Sequence, residues 1–261
     1  MNIVSIDLPW KEDTEGRRTL AIADPDGNIE IALAADDNGL LELVRNTARP
    51  GTIVLLDIPI DGCDKLNGAH FRAIDTAISH QAFPALPASR AGNRGRHLRA
   101  RLQNAINGLA VYEIYPYVAY KFLAYLKNRQ SLRHLATGRF DALIDDSFLK
   151  FWPPKYKRET EKPKRVENMQ YLYSLLTDSS LGLKFSPPLQ RPRDSLTSVG
   201  LNTLCDQYDA CLGAIVGIYF IRGSSYACLA GDSNSGSMLL LADRWLSEHL
   251  GREVEVSNSQ V

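Results

Sequence analysis

The sequence predicts an α/β protein, a mixed β-sheet flanked by helices, and three observations predict it. Short apolar runs of strand length open the chain, runs with helical spacing then alternate with them, and several strand-like runs end on a carboxylate. Residues 2–8 read as a buried strand that closes near Asp7. Residues 18–24 and 29–34 are two more apolar runs, and Pro25-Asp26-Gly27-Asn28 between them is a turn signal that makes them a hairpin. Over residues 39–48, Leu40, Leu41, Leu43 and Val44 mark one face of a helix, which Pro50-Gly51 stops. Residues 52–58 form a continuous apolar run, as a strand buried on both faces requires.

Helical spacing returns at residues 71–80 and 98–106, a strand pattern at 109–114, and a helix at 118–126. Right-handed crossovers leave few topologies for that order. Between residues 140 and 196 the pattern weakens. Trp152-Pro153-Pro154, a Lys/Arg/Glu-rich stretch and the prolines Pro187, Pro188 and Pro192 predict an exposed helical and loop insertion, with one helix at 168–176. The weakest part, residues 140–165, is too short for a core of its own, so one domain over residues 1–261 is expected. Residues 197–221 form the longest helix-like run, and two strands at 226–230 and 238–241 and a helix at 242–249 close the chain. Gly213 and Gly217, with Ala210 and Ala214, lay a stripe of small residues along the long helix, suited to close packing on the sheet.

The composition, 44% hydrophobic and 23% charged over 261 residues, supplies a core and excludes wholesale disorder. Lys plus Arg equals Asp plus Glu at 30 each, so no global field draws the protein to a polyanion and any such site must be local. Cys63, Cys205, Cys211 and Cys228 lack zinc-site spacing, and the five histidines are scattered. The N-terminus has no basic leader, and no uninterrupted apolar run reaches about 18 residues. A cytoplasmic protein with reduced thiols and no membrane partner is therefore expected. The phosphate-binding G-x-x-x-x-G-K-[ST] and G-x-G-x-x-G patterns are both absent, and Gly231-Asp232-Ser233-Asn234-Ser235-Gly236 reads as a hairpin turn.

The chemistry suggested by the sequence lies in its carboxylates. Asp7 ends Val4-Ser5-Ile6-Asp7, Asp57 ends Val54-Leu55-Leu56-Asp57, Glu113 ends Val111-Tyr112-Glu113, and Asp206 and Asp209 share a face of the long helix. A buried, unpaired carboxylate costs several kcal/mol, so repeated acids at apolar strand ends call for a compensating charge. Oxygen donors with no histidine or thiolate nearby favour Mg²⁺ or Mn²⁺. A pair of such ions supports in-line displacement at phosphorus by water.

Asp57-Ile58-Pro59-Ile60, Glu113-Ile114-Tyr115-Pro116 and Asp206-Gln207-Tyr208-Asp209-Ala210, in that order after an early strand ending in Asp7, resemble the DUF429 family of predicted ribonuclease H-like nucleases. The resemblance covers most of the chain. It implies a ribonuclease H-like core with Asp7, Asp57, Glu113 and Asp209 as catalytic metal ligands and Asp206 as a supporting or alternative acid. The chain departs from the family at Ser5 and Asp61, where glycine is common, and at Tyr115 and Tyr117, where the family often carries His and Glu.

Two cationic stretches complete the reading. Arg90, Arg94, Arg96 and Arg99, with His97 and Arg101, follow the Asp57 strand between glycines, and are expected either to bind substrate phosphate as a cationic loop or to form a solvated loop and helix face. Lys155, Lys157, Arg158, Lys162, Lys164 and Arg165, with Trp152 and Tyr156 among them, would suit single-stranded nucleic acid, although a surface insertion explains them more simply. Tyr112, Tyr115, Tyr117, Tyr120 and Tyr125 are expected to pack at core and rim, with Tyr115 able to reach substrate. The expected function is metal-dependent phosphodiester hydrolysis, with nucleic acid or a nucleotide as substrate. A nucleotide phosphotransferase on the same core and a non-catalytic binding protein are the alternatives.

Overall fold

The structure is a computed structural model that describes residues 2–10, 17–63, 66, 70–81, 83–84, 87–137, 143–157, 159–232, 234 and 236–259. Three positions used above, Arg158, Ser233 and Ser235, lie outside the described residues, as do residues 140–142 at the start of the expected insertion.

Strands β1 (Ile3–Asp7), β2 (Arg18–Ala23) and β3 (Asn28–Ala34) form an antiparallel meander. β4 (Ile53–Leu56) adds to β1 in parallel, and β5 (Ala110–Glu113) adds to β4 in parallel. A two-residue strand, β6 (Lys184–Phe185), pairs with β3, giving the order β5-β4-β1-β2-β3-β6. Sequence reading had only a proline-rich loop at β6, because a strand that short carries no periodicity. β7 (Ala227–Asp232) and β8 (Gly236–Leu241) make a separate antiparallel pair, which touches the main sheet through a bridge between Ile114 and Leu239.

Alternation along the strands sends side chains into two apolar layers. Val4, Ile6, Val54 and Leu56 face one way, onto α1 (Asp37–Thr47) and α3 (Arg94–Ala105). Ile3, Ala21, Ile53 and Leu55 face the other way, onto α2 (Ala73–His80), α4 (Pro116–Asn128), α6 (Lys162–Leu176) and α7 (Ser198–Ile221). A short α5 (Ser147–Lys150) and the closing α8 (Arg244–Ser259) complete the helices among the described residues. Asp7 and Asp57 continue the odd-numbered alternation, so both belong to the α7 face.

α7 crosses β1 and β2 at close range. A Cβ on Gly213 would lie 2.1 Å from the Ser5 hydroxyl, and one on Gly217 would lie 2.5 Å from Ile3. The small-residue stripe is therefore a close-packing surface, as the sequence suggested. By length and composition α7 could cross a bilayer, but 78% of its most apolar window is buried inside the protein.

The expected exposed insertion over residues 140–196 needs correction. Ile144, Phe148, Tyr156, Val166, Met169, Leu172, Leu175 and Leu176 all join the core layer beneath α7. α6 begins six residues before the expected start and packs on α4 and α7. α3 likewise begins at Arg94, so the arginine run opens a helix and is not a free loop.

Candidate active site

Asp7 and Asp57 sit at the carboxyl ends of adjacent parallel strands, where the next residues leave the sheet; the amide of Asp57 still donates to the Ile6 carbonyl at 3.0 Å. Side chains there project past the last rung of the ladder into space the sheet does not fill. α7 lays Asp206 and Asp209 above them, one turn apart. All four aspartates line one cavity of about 610 Å³.

The aspartates act on one another through their charges: Asp206 raises the proton affinity of Asp7, and Asp7 and Asp209 raise that of Asp57. Desolvation by the surrounding protein is the largest cause, and with Asp206 nearby it pushes Asp7 up to about 6. Burial, with the charge of Asp7 beside it, also holds Asp57 well above the usual carboxylate range, and burial raises Asp206 and Asp209. Lys157 opposes these shifts at all four acids. Its ammonium contacts Asp209, and Tyr156 donates its hydroxyl to the other oxygen of the same carboxylate. Burial disfavours the Lys157 charge, but Asp209, Asp7 and Asp57 outweigh it and hold the lysine protonated. Its side chain keeps 44% of its surface open because it faces the cavity and not the core.

The cavity walls are aromatic and cationic. Trp10, Tyr115, Tyr117, Trp152 and Tyr156 supply the rings, and Arg17, Lys155 and Lys157 supply the charge. The Trp10 indole N–H donates to the Asp57 carbonyl at 2.8 Å, which fixes a ring beside the acids. The sequence offered Tyr115 for contact with substrate, and Trp152, Lys155, Tyr156 and Lys157 as part of a stretch that would suit single-stranded nucleic acid. Lys157 did carry a signal, a cation directly after Tyr156 and five residues after Trp152. Nothing local marked Trp10 or Arg17.

Glu113 does not join the cluster. In the β4–β5 register it lies opposite Leu56, not Asp57, and Leu56 belongs to the other apolar layer. Both of its oxygens are held by Arg72, at 2.6 and 2.7 Å, and one also accepts from the Ile60 amide at 2.8 Å. Burial raises its proton affinity and Arg72 lowers it. Arg72 also binds Asp75 at 2.7 Å, which makes a buried, fully paired triad.

The arginines expected to bind phosphate are elsewhere too. Arg94 is buried against Asp37 at 3.0 Å, an aspartate it shares with Arg18, and Arg99 pairs with both oxygens of Asp61 at 2.7 Å. Neither lines the cavity, and neither do Arg90, which is exposed at the end of a 3₁₀ turn, or Arg96, which is partly buried in the first turn of α3. This is a correction with a simple cause: a run of arginines on a helix packed over the far face of the sheet points away from strand ends that face α7. Asp61 serves here as the Arg99 partner.

Among the described residues no three His, Cys, Asp or Glu side chains surround a common point as a ready cage for a metal ion. The donor chemistry nevertheless fits a hard dication, since every candidate ligand is a carboxylate oxygen. Burial and mutual repulsion raise the proton affinity of all four carboxylates, and a dication would offset the same negative charge. No protein-family model, curated protein or solved structure matches the chain.

Proposed function

We propose that the protein hydrolyses phosphodiester bonds with Mg²⁺ or Mn²⁺ held by Asp7, Asp57, Asp206 and Asp209, on a ribonuclease H-like core of the DUF429 type. The observation that carries this reading is the convergence of four aspartates, from two parallel strand ends and one helix, on one cavity, with Lys157 in contact with Asp209. A cluster kept only for stability would pair each acid, as the Arg72 triad pairs Glu113 and Asp75. The antiparallel meander continued on one edge by two parallel strands supports the ribonuclease H-like reading of the sheet.

When bound, the ion would supply an activated water and offset charge on the phosphate. The chain's own residues do the positioning. Tyr156 orients Asp209 through its hydroxyl, and Trp10 clamps the backbone that bears Asp57. Lys157 is placed to exchange its aspartate contact for a phosphate oxygen. Arg17 and Lys155 add positive charge on the cavity wall.

The test is cleavage of labelled oligonucleotides by pure protein with Mg²⁺, Mn²⁺ or EDTA, alongside crystals soaked in Mn²⁺. Asp7→Asn and Asp57→Asn should abolish metal-dependent cleavage with the fold intact, and anomalous signal should appear among the four aspartates. Undiminished cleavage by both variants, or Mn²⁺ bound elsewhere, refutes the assignment.

A further inference from the structure

We propose that the cavity receives one unpaired nucleotide of a single-stranded nucleic acid, its base against Trp152 and the Tyr115–Tyr117 pair and its phosphate over the aspartates. The inference rests on the phosphodiester reading above and names a substrate class for it.

The aromatic walls are the first ground. Trp152 is 50% exposed, yet it is not loosely held. The Lys121 ammonium lies 4.9 Å from the centre of its ring and is itself buried, packed also over Phe148 at 4.6 Å and Phe83 at 5.0 Å. One side of Trp152 is thus anchored, while its remaining surface lines the cavity. Tyr115 is tethered as well, its hydroxyl donating to the Pro84 carbonyl at 2.6 Å, and its ring lies 6.3 Å from that of Tyr117. Rings fixed in place and left open to a cavity are platforms for another flat ring, and each stacked nucleobase contributes about 1–3 kcal/mol.

The second ground is position. The aspartates and the rings line the same cavity, so a phosphate brought to the acids carries its neighbouring base onto the aromatic walls. A volume of about 610 Å³ falls in the range of pockets that enclose small ligands, roughly 300–1,000 Å³. Bases in a duplex hide both faces against their neighbours and cannot use such a wall unless extruded.

The third ground is charge. Lys plus Arg and Asp plus Glu balance at 30 each, and the arginine run on α3 is spent partly on Asp37 and Asp61. Tight duplex binding draws on many phosphate contacts along an extended basic track. Here the positive charge at the site is local, in Arg17, Lys155 and Lys157.

The experiment is fluorescence titration of the full-length protein, read through its tryptophans, with a short single strand and a blunt duplex of the same sequence. Ca²⁺ replaces Mg²⁺ to separate binding from turnover. The strand should bind at least about tenfold more tightly than the duplex. Trp152→Ala should weaken strand binding about tenfold, and Trp152→Phe should recover most of the loss. Equal affinity for duplex and strand, no strand binding at all, or a Trp152→Ala protein that binds like the wild type overturns the proposal. If no substrate is ever cleaved but Trp152-dependent strand binding stands, the hydrolytic reading fails and this one survives. Duplex cleavage undiminished by Trp152→Ala gives the reverse result.

Discussion

Arg72 grips Glu113 through both carboxylate oxygens, at 2.6 and 2.7 Å, with both side chains almost wholly buried. A third hydrogen bond, from Arg72 to the Asp61 carbonyl at 2.9 Å, ties the pair to the segment that follows Asp57. Removing one member of a buried pair leaves the other charge unmatched, at about 3–5 kcal/mol. Glu113→Gln should therefore lower the melting temperature sharply, while the stabilisation by Mg²⁺ expected of the wild type should persist. Loss of the Mg²⁺ response in a folded Glu113→Gln protein would return Glu113 to the metal site.

The aspartate cluster should impose a pH dependence of the opposite sign to that of an ordinary salt-bridged acid. Asp7 is raised from 3.8 to about 6 in the folded state, so between those values the folded protein holds a proton the unfolded chain has lost. Metal-free stability from this group is present below about pH 4 and is lost as the pH rises through about 6. Asp7→Asn should remove that component and be more stable than the wild type in EDTA at pH 7.5, by on the order of 1–3 kcal/mol. Melting curves from pH 4.5 to 7.5 measure it, and parallel curves for the two proteins would refute it.

Protons and metal compete for the same oxygens. The rise in melting temperature on adding Mg²⁺ should be small at pH 5 and should reach its full size above about pH 7. A Mg²⁺ response independent of pH would place the ion away from Asp7.

Lys157 is the cation shared by the four aspartates. Lys157→Met should lower the melting temperature in EDTA at pH 7.5, because the carboxylates lose their counter-charge, and should enlarge the rise produced by Mg²⁺. A variant with wild-type stability in EDTA would show that Lys157 does not balance the cluster.

Gly213 sets the distance between α7 and β1, and hence between Asp209 and Asp7. Its missing Cβ would meet Ser5 at 2.1 Å and Ile114 at 2.3 Å. Gly213→Ala should cost about 1–3 kcal/mol of stability and reduce cleavage more than Gly200→Ala, a change in the first turn of the same helix. Urea unfolding and cleavage assays on the two variants would check it; equal behaviour would mean that α7 can shift without moving the site.

The sequence alone determined the alternation of strands and helices, the hairpin at Pro25–Asn28, the close-packing face of α7 and the candidacy of Asp7, Asp57, Asp206 and Asp209. These follow from local periodicity and from the cost of a carboxylate at the end of an apolar run. The parity of Asp7 with Ile3 and Ser5, and of Asp57 with Ile53 and Leu55, was legible in principle, because side chains alternate along a strand.

Tertiary structure decided what periodicity cannot carry. Register placed Glu113 opposite Leu56, where Arg72, 41 residues away in the chain, takes both of its oxygens. The α3 arginines went to the opposite layer, and an apparent surface insertion delivered Tyr156 and Lys157 to the aspartates. Pattern along a chain fixes which face a residue occupies, but the partner across that face comes from a distant segment. Only the packed structure sets which carboxylates meet a cation and which meet each other.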